Sequence, residues 1–298
     1  MVRVRVPASS ANIGPGFDCL GVALNMYNTA EFSLTDNGLN IEIMDDAYFI
    51  PRTEDNYVYR GFKRVYEEIG ESFDGVNIKI WSGIPVTRGL GSSSASIVLG
   101  IMGANKLTGC KLGKADIVRL AYEIEGHADN AAPSVAGGFT VACTDRNELV
   151  YSKTEVSDKL HFAAMIPDFY LQTKKSRAVL PHLVPLRNAA YNMAHSSLVT
   201  SAFFSGNYER LSAAVKDRLH QRYRYTRIKS GDFVARSMKR NGALCSYLSG
   251  AGPTIMGIVY GDYAQFQEKM NNLIATNLKG WHLEMLSVDN EGAIYLED

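Results

Sequence analysis

Between Val76 and Leu107 the chain changes its hydrophobic period once, across a loop of glycine and serine. Val76, Ile78 and Ile80 alternate, which predicts a half-buried strand. Ser93 to Leu107 is small and apolar, which predicts a buried helix stopped by Gly109. The joining run Ile84-Pro85-Val86-Thr87-Arg88-Gly89-Leu90-Gly91-Ser92-Ser93-Ser94-Ala95-Ser96 therefore leads from a strand into a helix N-terminus. There the first amides have no intrahelical acceptor and point outward at the positive end of the helix dipole. Glycines let the backbone approach a phosphate, and serine hydroxyls add donors or a magnesium ligand. The spacing is neither GxxxxGK[ST] nor GxGxxG. A plain glycine-serine turn is the competing reading, and the serines falling on the first helical turn weigh against it.

Strands are predicted at Val2 to Val6, ending at Pro7, and near Tyr27–Leu34 and Leu39–Met44, with a polar loop over Ala8 to Gly21. Val58, Phe62, Val65 and Ile69 predict a helix over Asn56 to Ile69. Lys114 to Glu125 predicts another that ends at Gly126, before His127-Ala128-Asp129-Asn130. Further strands are predicted at Gly138–Cys143 and Phe162–Ile166. The second half reads as helices near Asn188–Ser201, Tyr208–Arg218, Gly231–Arg240 and Tyr263–Thr276. Strands at Leu244–Leu248, Thr254–Val259 and His282–Val288 interleave with the last two. This mixture predicts an α+β or α/β architecture in two lobes, 1–152 and 153–298, with the boundary near Thr144–Lys159.

The 298 residues are 46% hydrophobic and 21% charged, enough to bury a core without disulfides or structural metal. Lysine plus arginine equals aspartate plus glutamate at 31 each, which disfavours nucleic-acid or anionic-membrane partners. No uninterrupted apolar run reaches the ~18 residues of a spanning helix, and MVRVRVPASS reads as a strand rather than a leader. Cys19, Cys110, Cys143 and Cys245 form no metal or redox spacing and read as reduced thiols of a cytoplasmic protein.

Three separated segments carry a resemblance. They are Val6-Pro7-Ala8-Ser9-Ser10-Ala11-Asn12-Ile13-Gly14-Pro15-Gly16-Phe17-Asp18, the loop Pro85 to Ala95, and Ser249-Gly250-Ala251-Gly252-Pro253-Thr254. Together, and in this order, they resemble the GHMP kinases (galactose, homoserine, mevalonate and phosphomevalonate kinases), and within them the homoserine kinase family. The resemblance covers essentially the whole chain. It implies an N-terminal lobe like ribosomal protein S5 domain 2, a ferredoxin-like C-terminal lobe, and ATP meeting a small-molecule substrate between them. ATP phosphates would lie on Pro85, Val86, Thr87, Arg88, Gly89, Leu90, Gly91, Ser92, Ser93, Ser94 and Ala95. Asn56 would contact adenine; from the residues alone it reads equally as a helix N-cap. Magnesium would be held by a glutamate of the following helix, Glu123 or Glu125, with Glu125 favoured and Ser93 or Ser94 as its hydroxyl partner. A homodimer is left open.

Glu125-Gly126-His127-Ala128-Asp129-Asn130 points to the substrate. Mevalonate and galactose kinases place an aspartate, a candidate base, where this chain has Asn130, whereas homoserine kinases resemble this chain in reading HxDN. An amide cannot take up a proton at neutral pH, so catalysis would rest on alignment and charge neutralisation. Without the resemblance the same run reads as a polar turn leaving a helix. L-homoserine is a zwitterion with a terminal hydroxyl. Its carboxylate needs a cationic fork, which arginine supplies. Arg177, in Thr173-Lys174-Lys175-Ser176-Arg177, and Arg224, in Asp217 to Arg224, are the candidates, against the ordinary reading of arginines as solvated charge. Asn12, Asp18, His127, Asp129, Thr173 and Gly250 would complete the substrate pocket. A sibling kinase of another small alcohol, and a non-catalytic metabolite-binding protein of the same fold, are the alternatives.

Overall fold

Alternation and capping place most elements where their sequences call for them. The computed structural model describes residues 1–45, 50–146 and 148–297. Asn147, inside the segment expected to hold the lobe boundary, lies outside them. In chain order the elements are β1 (Val2–Ala11), β2 (Leu20–Thr35), β3 (Gly38–Ile43), α1 (Tyr57–Ile69), β4 (Gly75–Ser82), α2 (Ser92–Leu107), α3 (Lys114–Glu125) and α4 (Ala131–Ala136). There follow β5 (Phe139–Asp145), β6 (Glu148–Thr154), β7 (Leu160–Pro167), α5 (Thr173–Arg177), α6 (Leu186–Ser205), α7 (Leu211–Ala214) and α8 (Gln221–Arg224). The chain closes with α9 (Gly231–Arg240), β8 (Cys245–Leu248), β9 (Ile255–Tyr260), α10 (Ala264–Asn277), β10 (Trp281–Ser287) and β11 (Ile294–Leu296).

The first sheet has the order β11-β1-β2-β4-β3, with β5 pairing the start of β2 and carrying β6 on its far side. Only β3 and β4 run parallel, as the helix between them allows. Pro7 does not end β1 as expected. Its missing N–H is absorbed by a register shift between Pro7 and Ala8, and pairing with β2 resumes through Ala11. Helix α2 packs on this sheet and is almost wholly buried, from Ser94 to Asn105 except Ser96. Its approach to α1 is close: a Cβ on Gly100 would lie 1.8 Å from the Val58 carbonyl oxygen, and one on Gly61 2.2 Å from that of Ile97. Only glycines let these helices sit so near.

The second sheet has the order β10-β7-β9-β8 with every pair antiparallel. Numbered within itself this is 4-1-3-2 over a βαββαβ connection, the ferredoxin-like plan, although the first connection is long and carries α5 to α9. The helix expected over Tyr208–Arg218 is cut short. A 3-10 turn and α7 end at Ala214, because Asp217 instead accepts the N–H groups of Leu219, His220 and Gln221. The short elements α4, α5, α8 and β11 are not legible in the sequence, being too brief to show a period, and β6 is not anticipated either.

Candidate active site

A cleft of about 400 Å³ runs between the loop before α2 and the segments 171–177 and 250–252. Local backbone rules shape its first wall. Gly91 is the N-cap of α2 in the left-handed region, and Thr87 and Gly89 also have positive φ. A Cβ on Gly91 would lie 2.0 Å from Ser9 Oγ, and one on Gly89 2.5 Å from the Ser249 carbonyl oxygen. Both glycines are thus demanded by packing before any ligand is considered.

Val86, Thr87, Gly89, Gly91, Ser92 and Ser93 line this wall. Pro85, Leu90, Ser94 and Ala95 do not: all are buried, Leu90 and Ala95 wholly in the core. Only the backbone of Pro85, Leu90 and Ala95 is left to face a nucleotide, while Ser94 Oγ reaches Glu125, which does line the cleft. Arg88 also borders the cleft, but its guanidinium donates to the carbonyls of Pro167 at 2.9 Å, Asp168 at 2.7 Å and Val86 at 3.3 Å. It pins the loop to the end of β7.

Glu125, the last residue of α3, accepts from Ser93 Oγ at 2.5 Å and from Ser94 Oγ. Burial raises its pKa, while the His127 charge and the two hydroxyls pull the other way. Glu123 lies on the opposite, outer face, paired with Arg64 at 2.8 Å and Arg119 at 2.7 Å. Helical rotation thus separates the two glutamates that spacing leaves open. A half-buried carboxylate with two hydroxyls and no ion pair among the described residues is a hard-oxygen set that fits a magnesium ion. No group of three or more metal-ligating His, Cys, Asp or Glu side chains occurs among the described residues.

The αL glycine Gly126 ends α3 and turns the chain inward. His127 Nδ1 and Asp129 Oδ1 are 3.0 Å apart. Burial works against a charged ring here, but the Asp129 hydrogen bond and the charges of Asp129 and Glu125 outweigh it, raising the His127 pKa to about 9. His127 is therefore imidazolium at neutral pH. Asn130 stands at the N-cap position of the short helix α4 without a capping side-chain bond; its Oδ1 accepts from Ser9 Oγ at 2.9 Å and its NH₂ donates to Asp129 Oδ1 at 3.3 Å.

The far end of the cleft is cationic. Arg224 is 1% exposed and has no carboxylate partner among the described residues. Its Nη1 donates to the Gly250 carbonyl at 2.9 Å and lies 3.3 Å from His220 Nδ1, while Nε has no partner. Burial and the neighbouring Arg177 charge lower its pKa to about 10, so it stays charged. Arg177 forms a two-pronged pair with Asp18, at 2.7 and 3.0 Å. Both guanidinium groups lie over the Phe17 ring, at 5.5 and 5.3 Å from its centroid. Asn12 is an internal latch: its NH₂ donates to Gly250 O at 2.8 Å and its oxygen accepts Asp18 N–H at 2.9 Å. Thr173 and Gly250 also line this end.

Asn56 performs the capping role, accepting from Val58 N–H at 2.8 Å and donating to Pro51 O at 2.6 Å, and it borders the cleft as well. Beside it Ile50, Pro51, Tyr57, Val58 and Ile80 make an apolar end that sequence reasoning missed. These residues lie on separate elements, and no motif links them. Gln172 and Lys174 are missed too, although Lys174 stands in the segment that supplies Arg177.

A model of the GHMP kinase N-terminal domain matches residues 56–138. A homoserine kinase of Clostridium botulinum is 42% identical over 294 residues, 99% of this chain and 98% of the relative. That of Clostridium beijerinckii is 41% identical over 298 residues, 100% of this chain and 99% of its own. The chain belongs to the homoserine kinase family. The crystal structure of homoserine kinase from Cytophaga hutchinsonii superposes with a TM-score of 0.89 at 27% identity, covering 99% of this chain and 97% of that one. The two-lobed GHMP kinase fold expected from the three motifs is the fold observed. Membership makes the protein an ATP-using kinase, and no helix among the described residues is long and apolar enough to cross a membrane.

Proposed function

We propose that this protein transfers the γ-phosphate of ATP to the side-chain hydroxyl of L-homoserine, the step that commits the amino acid to threonine synthesis. The observation that carries the reading is that the glycine-serine loop, Glu125, and the charged groups Asp18, Arg177 and Arg224 line one cleft. Adenine would occupy the apolar end beside Asn56, and the phosphates would lie on the amides of Thr87 to Ser93. Glu125, with Ser93 and Ser94, would hold Mg²⁺, which supplies charge neutralisation on the transferring phosphoryl group when bound. Asp18 would take the substrate ammonium. Arg224, a buried cation with an unmatched N–H, would take the carboxylate together with Arg177, loosened from Asp18 as the zwitterion enters. His127, held charged by Asp129, forms the pocket wall. Asn130 has no proton-accepting nitrogen, and its NH₂ would orient the acceptor hydroxyl in line with the phosphate.

The same reading divides the chain at 152/153, assigns it to the cytoplasm and leaves a homodimer for sedimentation to test. Its test is ATP turnover in a coupled assay against homoserine, serine, threonine, mevalonate and galactose. Turnover confined to, or strongly favouring, homoserine is expected. Preferred use of mevalonate or galactose would replace the substrate, and no turnover on any would favour a binding protein of this fold.

A further inference from the structure

The cations of the cleft divide by what already holds them. Arg88 is tied to three carbonyls, Arg177 to Asp18, His127 to Asp129, and Arg224 is sunk against Gly250 at the amino-acid end. The loop itself carries no lysine, unlike a P-loop, and its one cation, Arg88, is turned to backbone carbonyls. One further cation lines the cleft. Lys174 is exposed, in the first turn of α5, and its ammonium makes no ion pair or hydrogen bond among the described residues.

The position of α5 fixes what Lys174 can reach. Just before the helix, Leu171 N–H meets the Thr87 carbonyl of the phosphate loop at 3.4 Å. On its buried side, Ser176 Oγ donates to Ala251 O at 2.7 Å. At its end, Arg177 holds Asp18. Lys174 and Arg177 are three residues apart and share a face, with Lys174 one turn nearer the phosphate loop. Its flexible four-carbon stem can therefore reach the junction where phosphates and acceptor hydroxyl meet.

We propose that Lys174 is a catalytic residue of this cleft: its ammonium contacts the β- and γ-phosphates of the bound nucleotide from the second lobe, doing the work a P-loop lysine does from within its loop. The inference rests on the kinase reading above. Charge bookkeeping supports it. A nucleoside triphosphate beside Glu125 leaves a net negative cluster even with one divalent cation present, and Lys174 is the lining cation not already matched to a protein group. It acts electrostatically, stabilising charge that accumulates on the leaving phosphate oxygens.

The test is nucleotide binding to the full chain by calorimetry, with Mg²⁺ present, for the wild type, Lys174→Met and Lys174→Arg. Expected for Lys174→Met is an ATP affinity weakened by about ten- to a hundredfold, with AMP affinity unchanged and homoserine KM within about twofold of wild type. Lys174→Arg should recover most of the ATP affinity. ATP binding by Lys174→Met equal to the wild type would overturn the proposal, as would a rise in homoserine KM with ATP unaffected, which would assign Lys174 to the substrate carboxylate. If the wild type fails to phosphorylate homoserine while Lys174→Met still loses ATP affinity, the substrate reading falls and the lysine assignment stands.

Discussion

Glu123 and Glu125 differ by two residues and face opposite environments, so they make a matched pair of tests. Glu125→Gln should abolish most turnover and raise the Mg²⁺ concentration needed for half-maximal rate, with little change in Tm, because the amide keeps the volume and loses the charge. Glu123→Gln removes only exposed ion pairs, worth about 0–1 kcal/mol, and should leave turnover unchanged. The arginines can be separated likewise. Arg224→Ala should raise homoserine KM by about ten- to a hundredfold and also lower Tm, since the Gly250 carbonyl loses one of its two donors and a buried side chain leaves a void. Arg177→Ala should raise KM with a smaller Tm change, because its pair with Asp18 is half-exposed. Steady-state KM for both substrates and thermal melts read all four variants. His127 adds a pH dependence. Its folded pKa of about 9 lies above the reference 6.5, so the stability it shares with Asp129 is fully present below about pH 6.5 and lost as pH rises through about 9. His127→Asn should flatten that part of the Tm–pH curve, and an unchanged curve would show the pair contributes nothing.

At the scale of elements, the strand-loop-helix unit is held by contacts that its motif does not advertise. Gly91 meets Ser9 from β1, Gly89 meets the 249–252 turn, and Arg88 meets the end of β7. Gly91→Val would force a β-branched residue into the left-handed region, at about 1–3 kcal/mol for the backbone alone, and drive its Cβ into Ser9. Lost ATP binding in that variant would therefore reflect a displaced helix start as much as a blocked phosphate site. Ser93→Ala is the cleaner probe: it should weaken Mg²⁺-dependent turnover at nearly unchanged Tm, and melting curves beside metal titrations will show whether the two effects separate. Helix α3 illustrates the same point. Its period is legible, but which of its two glutamates faces the cleft depends on how α3 packs against its neighbours.

For the whole molecule, the cleft lies where both sheets contribute walls, and buried hydroxyls join them. Ser10 Oγ lies 2.9 Å from the Tyr247 hydroxyl and 2.8 Å from Ser249 Oγ, which in turn donates to Gly89 O at 2.6 Å. The C-terminal strand adds a second tie, because β11 returns to pair with β1 and Tyr295 reaches the Met102 carbonyl on α2 at 3.3 Å. Deleting residues 294–298 should lower Tm by several degrees and should cost catalysis mainly through the folded fraction. A truncated protein that melts with the wild type would show that β11 contributes no stability.

Period and punctuation determined the long elements, because burial of one face imprints 2- or 3.6-residue spacing on the chain itself. That is why α1, α3, α9 and the strands of the second sheet are legible in the amino-acid order alone, and why three short motifs point to the family. The short helices α4 and α5 and the three-residue strand β11 carry too few side chains to show a period; long-range contacts specify them. The fates of the site side chains are of the same kind. Arg88 turning to carbonyls, Asn12 becoming a latch and Arg177 closing on Asp18 each depend on a partner 79 to 238 residues away, and Lys174 is left open to the cleft. Residue identity fixed what each group could do chemically. Only the packing of the two sheets decided which groups would meet, because hydrogen bonds and charge pairs form between neighbours in space.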